Sequence, residues 1–172
     1  MPTLETILRT IQLPVQHDIA LMFVETGLPL WTDHVTKNPG DLDFYDGVGN
    51  HYVIPPDLLS RAIALVRTER AAPGSQRDTI RSLEDEFVGP ILSINRMDWE
   101  PPSAVERLFC ATNNLLSLYT GALSVDEEEP RLNLVINQAA DALMTGKVKT
   151  LEELNAVIAM IKTNYRKPPG AR

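Results

Sequence analysis

The chain is short of the residues that usually carry chemistry. Its 172 residues include one cysteine and three histidines, and aromatic side chains make up 6%. A lone thiol, Cys110, excludes an intramolecular disulfide framework and points to a reducing compartment. No apolar run is long enough to cross a bilayer, and no basic segment precedes an apolar one near Met1. Neither a membrane partner nor a secretory signal is expected, and the expected location is cytoplasmic. The chain also lacks a Gly-x-Ser-x-Gly elbow, a Gly-x-Gly-x-x-Gly turn, a Walker loop, His-Glu-x-x-His and Cys-x-x-Cys, which sets aside the enzyme classes built on them. Nor is there a Glu-x-x-His, the spacing used by carboxylate-bridged di-metal bundles. No cofactor is expected.

Charge is present but unevenly placed. The formal net charge is -7, yet residues 130–172 hold seven Lys or Arg against three acids, so residues 1–129 carry a net charge of -11. A basic end on an acidic body can orient a partner or a second copy of the chain, although solvated faces alone would also account for it.

Apolar spacing carries most of the structural information. Leu4, Ile7, Leu8 and Ile11 share one helix face, and Pro14 interrupts that run. A second short helix is expected from Pro14, with Val15, Ile19, Met22 and Phe23 inward and Gly27 as a left-handed end. From Leu28 to Pro56 the pattern fails among prolines and glycines, so 28–56 reads as one irregular segment with His51 to Ile54 as a strand candidate. Leu58, Leu59, Ala62, Ile63 and Val66 restore helical spacing.

Three boxes then announce helices, each a Ser or Thr with an acid three residues on: Ser75 and Asp78, Ser103 and Glu106, Thr150 and Glu153. The first helix contains Gly89-Pro90 and is expected to kink or restart there. The second has a wide apolar face, as a central helix would. Between the second and third boxes, Leu132, Val135, Ile136, Ala139, Ala140, Leu143 and Met144 fit the helical template without exception. Pro130 fits only a first turn, so Asp126 to Glu129 would cap this helix, and Gly146 closes it. Together with the Thr150 helix it forms a C-terminal antiparallel hairpin. The expected fold is all-α: one domain, 1–172, of about six helices, with a disordered tail over 167–172.

A site would lie in the loop region, which gathers Trp31, His34, Asp41, Asp43, Phe44, Tyr45, Asp46 and His51. Asp41 to Gly47 does not match a calcium loop, because Tyr45 takes the fifth position, Asp46 the sixth and Tyr52 the twelfth. His34 and His51 with an aspartate could hold a divalent ion with open positions, against the simpler view that Asp and Gly make turns there. His17 has no ligand spacing and reads as a surface or half-buried histidine. Cys110 sits in an apolar run and reads as a small buried hydrophobe.

Helix-turn-helix spacing at Ala142 and Gly146 fails, since Thr145, Lys147 and Glu152 fall where apolar residues belong. A nonspecific nucleic-acid contact through the basic end is the weaker alternative. The preferred expectation is a non-enzymatic protein-interaction module: an adaptor, an immunity-type inhibitor or a small subunit. Its contacts would be Trp31, Asp41, Asp43, Phe44, Tyr45 and Asp46 on one side, with Lys147, Lys149, Lys162 and Arg166 on the basic hairpin. The competing expectation is a small metal- or ligand-dependent enzyme using the 31–54 loop.

Overall fold

A computed structural model describes residues 4–166, and the expected disordered tail at 167–172 lies outside the described residues. The fold is all-α, with one two-stranded ribbon. Among the described residues seven helices run in the order α1 (Leu4–Leu8), α2 (Leu13–Lys37), α3 (Leu58–Ala71), α4 (Arg77–Asn95), α5 (Ser103–Ser117), α6 (Val125–Thr145) and α7 (Leu151–Arg166). Between α2 and α3 lie a 3-10 turn, Pro39–Leu42, and strands β1 (Asp43–Tyr45) and β2 (His51–Val53). No helix among the described residues is long and apolar enough to cross a membrane.

The largest departure from the sequence pattern is α2. It does not stop at Gly27 but continues through Pro29 for 25 residues, so the irregular segment begins ten residues later than expected. The buried stripe Phe23, Gly27, Trp31 and His34 keeps helical spacing across the proline, while Pro29 itself faces solvent. A Cβ on Gly27 would lie 2.6 Å from Leu108 Cδ1, so the glycine marks a close approach of α2 to α5 rather than a helix end. Burial of that stripe outweighs the local breaker signals. Likewise α4 does not restart at Pro90, and α6 carries Pro130 beyond the first turn to which it was expected to be limited.

The boxes fare unequally. Thr150 and Glu153 are built as expected: the Thr150 N–H donates to Glu153 at 2.7 Å and the Glu153 N–H to Thr150 Oγ1 at 3.2 Å. Ser75 and Ser103 cap nothing, because α4 begins after Gln76 and α5 after Pro102. The start of α6 uses Ser124 instead, whose N–H and hydroxyl donate to Glu127 at 2.9 and 2.6 Å.

The core lies where α2, α5 and α6 meet, and α5 also packs against α3 and α4. Trp31, Phe87, Trp99 and Phe109 form an aromatic cluster in it, with Phe109 fully buried between Phe87 at 4.7 Å and Trp99 at 5.2 Å, ring centre to ring centre. At the end of α6, Gly146 stands 2.6 Å, measured from its virtual Cβ, from Leu30 Cδ2, and the left-handed turn falls on Lys147 with φ 56°. The last helix, α7, leans on α2 more than on α6.

Candidate functional site

The richest polar geometry lies near the start of α2, away from the region singled out by sequence. Pro14 fits an opening helical position, and the Gln16 amide donates to Leu8 O at 3.3 Å and Ile11 O at 2.9 Å, fixing the end of α1 against α2. This turn places His17 inward, 9% exposed, rather than on the surface. Its Nδ1 lies 2.7 Å from the Tyr119 hydroxyl and its Nε2 2.7 Å from Glu128 Oε1. Tyr119 follows α5, and Glu128 sits in the first turn of α6.

The chain of bonds continues. Arg70 of α3 donates through Nη1 to the Tyr119 hydroxyl at 3.1 Å and through Nη2 to Asp18, and the Tyr165 hydroxyl of α7 also donates to Asp18. Directions follow from the groups themselves. A carboxylate only accepts, so His17 Nε2 carries the proton toward Glu128, Nδ1 accepts from Tyr119, and Tyr119 accepts from Arg70. Five elements meet in one polarised row: α2, α3, the turn after α5, α6 and α7. The row opens on a cavity of about 620 Å³ lined by Leu13, Pro14, Leu118, Pro73 and Arg77 as well as the polar groups. That volume is in the range of small-molecule sites.

Glu69 closes one wall. It is 4% exposed, yet its carboxylate accepts from the Gly74 N–H at 2.5 Å and the Gln76 N–H at 2.7 Å, with Arg77 Nε at 3.6 Å. These bonds hold its pKa below the ordinary value, the Gly74 amide contributing most. A glutamate from α3 thus fixes the turn that leads into α4, by accepting from the amides of Gly74 and Gln76 ahead of its first helical residue, Arg77.

Burial pushes the His17 pKa below its usual 6.5, and the Arg70 charge adds to that; the bond to Glu128 offsets only part. Burial likewise raises Tyr119, so at neutral pH the row holds a neutral imidazole and a neutral phenol. A depressed histidine pKa means that the unfolded chain takes up the proton first as pH falls. The His17 contribution to stability is therefore complete above about pH 6.5 and is lost progressively as pH drops through the folded pKa. Urea midpoints at pH 7.5 and 5.5 are expected to differ less in His17→Gln than in the natural chain; equal differences would assign the acid limb elsewhere. The depressed carboxylates Glu69, Glu127 and Glu153 act lower, below the ordinary carboxylate range.

The loop region forms the opposite end of the molecule, since His17 and His34 are about 25 Å apart along α2 at 1.5 Å per residue. Here Asp43 pairs with Val53, Phe44 with Tyr52 and Tyr45 with His51 across an antiparallel ribbon. Phe44 and Tyr52 face inward, where Phe44 stacks on Trp99 at 5.5 Å and Tyr52 rests on Gly89. Asp43, Tyr45, His51 and Val53 face solvent. Besides the inward Phe44, two more of the expected contact residues are not on the surface. Trp31 is in the core, donating to Pro56 O at 2.7 Å, and Asp46 folds the ribbon turn through Val48, Asn50 and Tyr52.

The structure keeps the two loop histidines apart in environment. His34 is buried with Asp41 at 3.7 Å, whereas His51 is exposed, bonded to Asp43 at 2.6 Å and stacked on Tyr45. Among the described residues, no group of three or more His, Cys, Asp or Glu side chains is gathered as a metal site would need. At the basic end Lys147 occupies the left-handed turn, Lys149 lies 3.5 Å from Glu153, and Lys162 is half-buried near Tyr165; the Arg166 side chain lies outside the described residues. Cys110 is half-buried, and burial with Glu106 beside it pushes its thiol up to about 11, in keeping with a packing role.

Comparisons with protein-family models, with curated proteins and with solved structures found no match to the chain.

Proposed function

We propose that the protein is a protein-interaction module that docks through the ribbon end of its bundle onto a partner with a basic surface. The observation that carries this is the apolar skin left uncovered there. Tyr45 is 64% exposed, Val53 64%, Val48 75% and Met97 78%, and on α4 beside the ribbon Val88 and Leu92 are exposed one turn apart. Met97 takes the left-handed turn that ends α4, at φ 62°, and that turn leaves its side chain in solvent beside the ribbon end. Exposed acids, Asp41, Asp43, Asp85 and Glu100, border the patch and match a basic partner. Amphipathic aromatic and methionine side chains ringed by charge are the composition of an interface core.

The test uses a partner retained by the purified protein and identified by its peptide masses. That partner is expected to be basic and to be released by salt. Tyr45→Ala and Met97→Asp are each expected to weaken it at least about tenfold, while Lys162→Glu, beside Gln12 and Val15 at the far end of α2, leaves it bound. Retention unchanged in both ribbon variants would overturn the proposal, and a doubled native mass without a partner would assign the patch to a second copy.

A further inference from the structure

We propose that the cleft at the start of α2 is an acyl-transfer site, in which Tyr119 is the nucleophile, His17 its base and Glu128 the group that positions the base. The substrate class is a small carboxylic ester. This goes beyond docking and uses the opposite end of α2, so either can fail without the other.

The arrangement has the three parts such chemistry needs. The nucleophile and base are in hydrogen-bond contact, at 2.7 Å, and the base is oriented by a carboxylate on its other nitrogen, also at 2.7 Å. Because Glu128 fixes the tautomer, the lone pair of Nδ1 faces the Tyr119 hydroxyl, and among the described residues no other proton donor is placed on it. The guanidinium of Arg70, 3.1 Å from the phenolic oxygen, is positioned for negative charge that develops beside that oxygen. Arg77, whose guanidinium lies against Gly121, supplies a second cation on the cleft wall. Leu13, Pro14 and Leu118 offer apolar surface to the acyl chain.

The step balances with these groups and water. The Tyr119 oxygen bonds to the ester carbonyl carbon as Nδ1 of His17 takes the phenolic proton. The tetrahedral oxyanion collapses, the bond to the alcohol oxygen breaks, and the imidazolium returns the proton to the departing alkoxide. Tyr119 is left as an aryl ester. Water, deprotonated by His17, then hydrolyses that ester, yielding the carboxylic acid and the free phenol. The imidazolium that forms in each half is paired with Glu128. Its energy also depends on the other charges around the row: Asp18 beside it, Arg70, Glu69 and Arg77 across the cleft, and Tyr165 on α7.

Incubation with p-nitrophenyl acetate followed by peptide mass mapping tests the assignment. Of the chain's four tyrosines, Tyr119 is expected to take up acetyl well ahead of Tyr45, Tyr52 and Tyr165. Its rate is expected to fall about 100-fold in His17→Gln, and Tyr119→Phe removes the label from that peptide. The pH profile of labelling is expected to rise with a midpoint below 6.5, the usual histidine value, because burial depresses His17. In Glu128→Gln that midpoint moves lower, since the carboxylate that favours the imidazolium is gone; a purely structural Glu128 would leave it in place. Acetyl spread evenly over the tyrosines, or an unchanged rate in a folded His17→Gln, overturns the proposal. The comparison among tyrosines in the natural chain decides even where His17→Gln fails to fold.

Discussion

Phe109→Ala is expected to lower stability by about 3–5 kcal/mol, the range for removing a fully buried aromatic ring. Phe109 is 0% exposed and meets aromatic rings from three other parts of the chain. Trp31 on α2 lies 5.7 Å from it, Phe87 on α4 4.7 Å, and Trp99, just before α5, 5.2 Å. Loss of the ring leaves a void bordered by two indoles and a phenyl, large groups from α2, α4 and the segment before α5 that cannot all close inward at once. Against a total stability of about 5–15 kcal/mol for a domain, this one change removes a large fraction. Because Trp99 also stacks on Phe44, the ribbon is expected to loosen with the core. Urea midpoints of the natural chain, Phe109→Ala and Phe109→Leu check it, with the leucine variant intermediate. A loss below about 1 kcal/mol would place the core elsewhere.

The all-α class and most helix positions could be read from apolar spacing, since buried stripes such as Leu132, Val135, Ile136 and Ala139 record their own burial. Punctuation was less informative. Gly27 and Pro29 are strong local breakers, yet α2 passes through both, because the stripe from Phe23 to His34 is covered by α5 and α6. The spacing of Gly27, Trp31 and His34 is in the sequence and continues the helical stripe past the proline. A Ser with a Glu three residues on is likewise present at Ser124 and Glu127, but Pro130, favoured only in a first turn, points to a later start. The strand His51–Val53 was legible from its own residues; its partner Asp43–Tyr45, with two of three positions polar or phenolic, was not. For the cleft there was no local signal. His17, Arg70, Tyr119 and Glu128 are separated by about fifty residues or, between Tyr119 and Glu128, by a turn and a helix start. Only the packing of α2 against α3, α5 and α6 brings them into one row, and a lone histidine with no ligand spacing reads as nothing in particular until that packing is known.

Gly89→Ala is the second large effect, and its sign is the informative part. In a bare helix this change gains about 1 kcal/mol. Here the new methyl carbon would sit 2.1 Å from Tyr52 Cε1 and 2.7 Å from Cδ1, so the aromatic ring has to leave. Tyr52 is not free to swing, since its ring lies 5.5 Å from Phe44 on the inner face of the ribbon and its hydroxyl reaches Asp46 in the turn. Overpacking of this kind costs about 1–3 kcal/mol, more than the helix gains, so the variant is expected to be less stable. The loss is local in origin: amide exchange over residues 43–53 is expected to rise first, and partner retention to fall with it if the ribbon end is the docking surface. A double-mutant cycle separates clash from propensity. With Tyr52→Ala already in place the obstacle is gone, and adding Gly89→Ala is then expected to stabilise rather than destabilise the protein. If Gly89→Ala lowers the urea midpoint equally in both backgrounds, the glycine is required by something other than the ring that rests on it.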